Sequence, residues 1–87
     1  MSDLKASFEQ ATLDVKTLSA MPSPEDLKEL YAFYKQSTQG DVSGSRPGFT
    51  DFVGRAKYDA WAKLKGMTSD QAMNGYIAKV QALQKAS

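Results

Sequence analysis

The sequence contains neither cysteine nor histidine, and these two absences exclude many kinds of chemistry. Without cysteine, the 87-residue chain can form no disulfide, no thiolate nucleophile and no cysteine zinc site. Without histidine it lacks the commonest general base and the commonest metal ligand, so a Ser-His-Asp triad is impossible. Small secreted domains usually depend on disulfides. The absence of cysteine therefore favours a reducing compartment, and we predict a cytoplasmic protein without a metal site.

Long hydrophobic runs and a large net charge are also missing. Polar residues interrupt the apolar ones in the amino-terminal MSDLKASFEQ, so this segment predicts neither a signal peptide nor a membrane span. A formal net charge of +1 argues against nucleic-acid binding driven by overall charge. The charge is uneven, because residues 1–40 carry a net −2 and residues 41–87 a net +3. The length predicts one domain, spanning residues 1–87.

The first half of the chain predicts two helices. The first spans Asp3 to Thr17, with Ser2 as its N-cap. Ser23 and Pro24 are typical of a helix start, and the second helix is expected to end at Gly40. In the first helix, apolar residues three or four positions apart form one face, whereas the apolar and aromatic residues that line the second are denser than one face needs. These residues are Leu4, Phe8, Ala11, Val15 and Leu18 in the first helix, and Leu27, Leu30, Tyr31, Phe33 and Tyr34 in the second.

The second half predicts an ordered loop and two more helices. The loop, QGDVSGSRPGFT over residues 39–50, is rich in glycine and small polar residues. The third helix is expected to start near Asp51 and to end at Gly66, in a left-handed cap. Thr68 and Gln71 form a capping box that opens the fourth helix. The apolar faces consist of Phe52, Ala56, Ala60 and Leu64, and of Met73, Tyr76, Ile77, Val80 and Leu83. The predicted class is all-α with four helices.

Aromatic residues recur beside lysines at helical spacing on three of the predicted helices. A ring can stack on a nucleotide base while ammonium groups pair with phosphate oxygens. The alternative is that the tyrosines edge the core and the lysines are solvated, and spacing alone favours that alternative. The groups concerned are Lys28, Tyr31 and Lys35; Lys57 and Trp61; and Tyr76 and Lys79. No pair of carboxylates has the arrangement of a catalytic pair.

Four sequence blocks are more specific than this spacing. They are YKQSTQGD at residues 34–41, RPG at 46–48, KYDAW at 57–61 and LKGMT at 64–68. Their order and spacing resemble those of the acyl-CoA-binding protein family, and the resemblance extends from Phe8 to about Leu83. It implies an up-down-down-up four-helix bundle. It also implies that the nucleotide head of acyl-CoA lies on the protein surface while the acyl chain is shielded in a groove.

The resemblance also suggests individual site residues. Tyr31 matches a tyrosine that contacts the adenine-ribose-phosphate head, and Lys35 matches the lysine that binds the 3′-phosphate. Lys57 matches a second lysine of the head-group site, and Tyr76 a tyrosine near the adenine. The further matching positions are Lys16, which can reach the phosphates, and Leu27 and Lys28, which flank the acyl chain.

The chain departs from the family pattern at four positions. Met21 and Val53 stand where many members have lysine, and we predict that they extend apolar contact with an acyl chain. Tyr58 replaces the first tryptophan of the KWDAW block. Lys28 replaces an apolar residue near the acyl groove, which is expected to alter the chain-length preference.

The resemblance thus predicts an intracellular carrier and pool former for medium- to long-chain acyl-CoA. We expect a monomer without a cofactor that serves acyl-CoA-using enzymes and makes at most transient membrane contact. The alternative is a helical protein-interaction module that binds an acidic peptide. A thioesterase is disfavoured, because no histidine, cysteine or isolated carboxylate pair is available to activate water.

Overall fold

The computed structural model describes residues 3–86, which contain four α-helices and no β-strand. Helix α1 spans Asp3–Asp14, α2 Pro24–Gln39, α3 Phe52–Ala62 and α4 Ser69–Ala86. The predicted all-α, four-helix class is confirmed. The proposed N-cap Ser2 lies outside the described residues.

Two of the helices end earlier than predicted. Helix α1 gives way at Val15–Thr17 to a 3₁₀ turn, in which the Thr17 hydroxyl donates to the Asp14 carbonyl at 2.9 Å. A hydroxyl bonded to a nearby carbonyl competes with the α-helical ladder. Helix α3 ends at Ala62, and the chain then tightens, since Leu64 N donates to Trp61 O three residues back, at 3.0 Å. Gly66 follows with φ of +92°, the left-handed conformation predicted for it.

The predicted starts of α2 and α4 are confirmed by their capping hydrogen bonds. The Ser23 hydroxyl accepts from the Asp26 N–H at 3.1 Å. At the start of α4, Thr68 N donates to the Gln71 side chain at 3.0 Å, and Gln71 N donates to the Thr68 hydroxyl at 3.1 Å. Each side chain satisfies a backbone donor that the helix itself leaves without a partner.

Contacts between the helices give their relative directions. Near the start of α2, Asp26 pairs with Lys79 late in α4, whereas Ser37 near its end accepts from Ser69 at the start of α4. Helices α2 and α4 therefore run antiparallel. The loop-side end of α2 instead meets the later part of α3, where Lys35 lies over Trp61, so α2 and α3 run parallel. The predicted down-down-up order of these three helices follows from this pairing.

The core lies where α1 and α2 pack against α4. Phe8 of α1 stacks on Tyr34 with ring centroids 5.9 Å apart and meets the edge of Tyr76 at 5.2 Å. Val80 is 1% exposed. The residues predicted to form the faces of α1 and α4 are largely those that pack here. Phe52, one of the apolar positions predicted for α3, does not join this core, since it is 78% exposed.

Gly75 is expected to tolerate no side chain, although it lies inside α4. A Cβ added there would come within 3.0 Å of the Phe33 ring. Replacing glycine by alanine inside a helix normally gains about 1 kcal/mol, but overpacking a core costs about 1–3 kcal/mol. We therefore expect Gly75→Ala to lower the free energy of unfolding, as measured by urea denaturation. The exposed neighbour Asn74 supplies the control, since Asn74→Ala is expected to leave stability unchanged or raise it. A stabilised Gly75→Ala variant would contradict the packing.

Acid is expected to weaken the junction between α2 and α4. Lys79 Nζ lies 2.6 Å from Asp26 Oδ1 and 3.1 Å from Glu29 Oε1. The hydrogen bond from Lys79 holds the pKa of Asp26 below its usual value near 3.8. As pH falls, Asp26 therefore takes up its proton at a higher pH in the unfolded chain than in the folded one. The contribution of this carboxylate to folding stability is fully present above about pH 3.9 and is lost as the pH falls through the lower pKa of the folded state.

Asp26→Asn is accordingly expected to flatten the decline of unfolding free energy between about pH 5 and pH 2. Urea denaturation at each pH measures this slope. Glu9→Gln, which removes an exposed carboxylate from α1, is the control and should retain the steeper slope. An unchanged slope in Asp26→Asn would show that the pair does not contribute to acid sensitivity.

Candidate functional site

The Tyr31 ring and the ammonium groups of Lys35 and Lys57 lie together between α2 and α3, and we call them the cation cluster. Lys35 Nζ lies 5.9 Å from the centre of the Tyr31 ring, and Lys57 Nζ lies 5.3 Å from the same ring. Because α2 and α3 run parallel, Tyr31 is level with Lys57 and Lys35 with Trp61. Two cations close to one ring form a compact site for an anion beside an aromatic surface.

Trp61 fixes the position of Lys35 from the opposite helix. Lys35 Nζ lies 5.1 Å from the centre of the Trp61 ring, and the indole N–H donates to the Gly40 carbonyl at 2.8 Å. Trp61 is 6% exposed. The orientation of the ring is therefore set by a buried hydrogen bond to the end of α2, while Lys35 covers part of its face.

The loop from Gly40 to Asp51 is fastened along α3. Arg46 forms a two-pronged ion pair with Asp59, with Nε–Oδ1 and Nη2–Oδ2 distances of 2.8 and 2.7 Å. These bonds lower the pKa of Asp59. The Tyr58 hydroxyl donates to the Gly44 carbonyl at 3.0 Å. Tyr58 and Asp59 thus both anchor the loop to α3.

The other end of the loop is joined to the turn after α3. Asp41 Oδ1 accepts from the Gly66 N–H at 2.8 Å and from Gln36 Nε2 at 2.9 Å, and both bonds lower the Asp41 pKa. Gln36 is 1% exposed and also donates to the Met67 carbonyl at 2.9 Å. These bonds fix the end of α2 relative to the end of α3, and hence Lys35 relative to Trp61.

An apolar groove, the first groove, opens beside this cluster, between the starts of α2 and α3. Its volume is about 350 Å³, which lies within the range of small-molecule sites. Several of its apolar side chains are exposed, and Phe52 and Val53 have 78% and 67% of their surface accessible. The lining consists of Pro24, Leu27, Lys28, Phe52, Val53, Ala56 and Lys57. Lys57 therefore belongs both to the first groove and to the cation cluster.

A second groove, also lined by α2 and α3, adjoins the first. Its volume is about 620 Å³. The floor is apolar, while the rim carries acidic and basic side chains. The lining consists of Glu25, Lys28, Glu29, Ala32, Phe33, Ala56, Asp59, Ala60, Lys63 and Leu64.

The structure brings together five of the seven predicted site residues. Tyr31, Lys35 and Lys57 form the cation cluster, and Leu27 and Lys28 join Lys57 in the first groove. Tyr76 is instead a core residue, 6% exposed, whose pKa is raised by burial. Lys16 is exposed on the 3₁₀ turn after α1 and lines neither groove.

Trp61 is not among the seven predicted site residues, although the sequence places it beside Lys57. Lys57 and Trp61 are four positions apart, which places them on one face of a helix. The partner of the Trp61 ring, however, is Lys35 on a different helix, and sequence spacing carries no information about contacts between helices. For the same reason, the sequence does not predict that Ala56 lines both grooves.

Two kinds of structural feature are absent from residues 3–86. This part of the chain holds no group of three or more acidic, histidine or cysteine side chains placed to bind a metal ion. None of its helices has the length and apolar character needed to cross a membrane.

Comparison with known proteins identifies the family. A family model described as acyl-CoA-binding protein matches residues 5–80. The chain is 46% identical over 81 residues to an acyl-CoA-binding protein homolog of Manduca sexta, covering 92% of this chain and 90% of that protein. It is 49% identical over 83 residues to an acyl-CoA-binding protein of Brassica napus, covering 95% and 90%.

Solved structures agree. The fold matches a crystal structure of Oryza sativa acyl-CoA-binding protein 2 with a TM-score of 0.92 at 39% identity, over 97% of this chain and 91% of that one. It matches the acyl-CoA-binding protein of Moniliophthora perniciosa with a TM-score of 0.85 at 36% identity, over 99% and 83%. The chain therefore belongs to the acyl-CoA-binding protein family.

Proposed function

We propose that this chain binds medium- to long-chain acyl-CoA and acts as a carrier and pool former, without catalysing a reaction. One observation carries the proposal: the cation cluster and the first groove adjoin and share Lys57. An acyl-CoA ester has the matching construction, with a phosphorylated nucleotide joined to a hydrocarbon chain. The family relationship supports the same ligand.

The polar half of the ligand is assigned to the cation cluster. Lys35 and Lys57 pair with phosphate oxygens, and the Tyr31 ring offers a face to the adenine. A hydrogen bond to a charged group contributes about 1.5–3 kcal/mol, whereas an exposed cation–π contact contributes about 0.5–1 kcal/mol. The lysines therefore favour a phosphate over the rings that they contact. We retain Lys16 and Tyr76 as predicted contacts, Tyr76 through the edge of its largely buried ring.

The hydrocarbon half is assigned to the first groove. Leu27 and the stem of Lys28 flank the chain, and Val53, where many relatives have lysine, adds apolar surface. Each methylene removed from water contributes about 0.8 kcal/mol. The acyl chain would cover the exposed apolar side chains of this groove. Affinity is therefore expected to rise with chain length until the available groove is full.

The proposal includes the wider role of the protein. The carrier is a single domain of residues 1–87, monomeric and cytoplasmic, and needs no cofactor besides its ligand. It delivers acyl-CoA to enzymes that use it and makes at most transient contact with membranes. Catalysis is not proposed, since an unactivated water would have to attack the thioester without a histidine or cysteine.

Calorimetric titration tests the proposal directly. We expect palmitoyl-CoA to bind tightly with one-to-one stoichiometry, and coenzyme A alone and palmitate alone to bind much more weakly. Coenzyme A lacks the buried acyl chain and palmitate lacks the phosphate contacts, and high affinity needs both contributions. Absence of saturation with every acyl-CoA would refute the carrier and favour the acidic-peptide module, which a titration with a glutamate-rich peptide would then examine.

A further inference from the structure

The two grooves between α2 and α3 are separated by very little material. Both are lined by Lys28 of α2 and Ala56 of α3, and these are the residues that the two linings share. Ala56 presents a single methyl group. Lys28 has a flexible, largely apolar four-carbon stem that can lie along hydrocarbon while its ammonium group remains in water. A hydrocarbon chain that displaces the Lys28 side chain would therefore reach the second groove from the first.

Charges around the second groove draw the Lys28 ammonium group away from the first. Glu25, one helical turn before Lys28, and Glu29, the next residue, both line the second groove. The first groove has no acidic lining residue among those that the structure describes. The Glu25 carboxylate therefore attracts the Lys28 ammonium group towards the second groove, and this position would leave the Lys28 stem across the passage.

The second groove also has a floor suited to hydrocarbon. Ala32 is 3% exposed, and Phe33, Ala60 and Leu64 complete an apolar surface. Two rim carboxylates already have cationic partners, Asp59 with Arg46 and Glu29 with Lys79. A hydrocarbon segment on this floor would leave these charges exposed to water, so its burial carries little desolvation cost.

The volumes indicate which ligands would reach it. If a methylene needs about the room of a water molecule, roughly 30 Å³, the first groove holds roughly a dozen. We infer that acyl chains longer than this continue past Lys28, so that the second groove is a subsite for the distal segment of long and very-long-chain acyl-CoA. The inference rests on the proposed function and assigns Lys28 the role of a movable partition.

Filling the second groove tests the inference. Ala60 lines this groove and not the first, so Ala60→Leu should displace two or more methylenes of a long chain. At about fourfold per methylene, the affinity for eicosanoyl-CoA should fall about tenfold or more, while that for dodecanoyl-CoA stays unchanged. Calorimetry with both esters measures the ratio. Ala82→Leu places the same side chain at an exposed site of α4 outside both grooves and should alter neither affinity.

A bulkier, stiffer residue at position 28 tests the second-groove inference independently, should Ala60→Leu disturb folding. Lys28→Phe puts a stiff ring across the passage and is expected to lower the eicosanoyl-to-dodecanoyl affinity ratio by a similar factor. Lys5→Phe, at an exposed position of α1, is the matched control. Unchanged ratios in the folded variants would overturn the second-groove inference while leaving the carrier intact. Failure of the unmodified chain to bind either ester would overturn the proposed function itself, and the inference with it.

Discussion

Lys35→Ala is expected to weaken palmitoyl-CoA binding by about ten- to a hundredfold. This range corresponds to the loss of about 1.5–3 kcal/mol when a charge-assisted hydrogen bond to phosphate is removed. The Lys35 ammonium group lies 5.1 Å from the Trp61 ring and 5.9 Å from the Tyr31 ring, so it lies at the aromatic surface where the phosphate is proposed to bind. Isothermal titration calorimetry, with circular dichroism to verify folding, measures the effect.

The salt dependence of binding separates a phosphate contact from a general loss of affinity. Removing one charge that pairs with phosphate should make the affinity fall less steeply with added salt. Lys5→Ala removes an exposed lysine of α1 and serves as the control for overall charge. If Lys35→Ala and Lys5→Ala bind palmitoyl-CoA equally well at low salt, Lys35 does not hold a phosphate.

The largest expected effect on stability belongs to Phe8→Ala. Phe8 is 5% exposed and joins three helices through its contacts with Tyr34 and Tyr76. Truncating a buried phenylalanine costs about 3–5 kcal/mol, because burial is lost and a cavity remains. The total free energy of unfolding of a small domain is only about 5–15 kcal/mol. Urea denaturation should therefore show a midpoint shifted far towards lower concentration.

The same substitution at an exposed phenylalanine provides the control. Phe49 is 74% exposed and lines neither groove, so Phe49→Ala is expected to change the unfolding free energy by no more than about 0.5 kcal/mol. A Phe8→Ala variant as stable as Phe49→Ala would contradict the packing of α1 against α2 and α4. Because Tyr76 lies in the same cluster, Phe8→Ala also tests whether loosening this ring affects ligand affinity in the protein that remains folded.

Local signals in the sequence were sufficient for the four helices. The capping box at Thr68 and Gln71 and the N-cap at Ser23 involve neighbours within three residues, and the apolar spacing of α1 and α4 reflects one buried face each. The helix ends were less predictable. A hydroxyl hydrogen bond at Thr17 and three-residue hydrogen bonds after α3 shorten two helices without changing the apolar pattern.

Motifs in the sequence also determined the family, because four blocks in fixed order are specific where any one of them is weak. Only the tertiary structure decided which cation faces which ring. Lys35 meets Trp61 across two helices, and that contact depends on the parallel register of α2 and α3, which spacing along one helix cannot encode. It likewise decided that Tyr76 lies in the core, that Phe52 is exposed, and that Lys28 and Ala56 alone are shared by the two described grooves. Burial and groove shape are properties of several packed helices together, so no single segment of the sequence contains them.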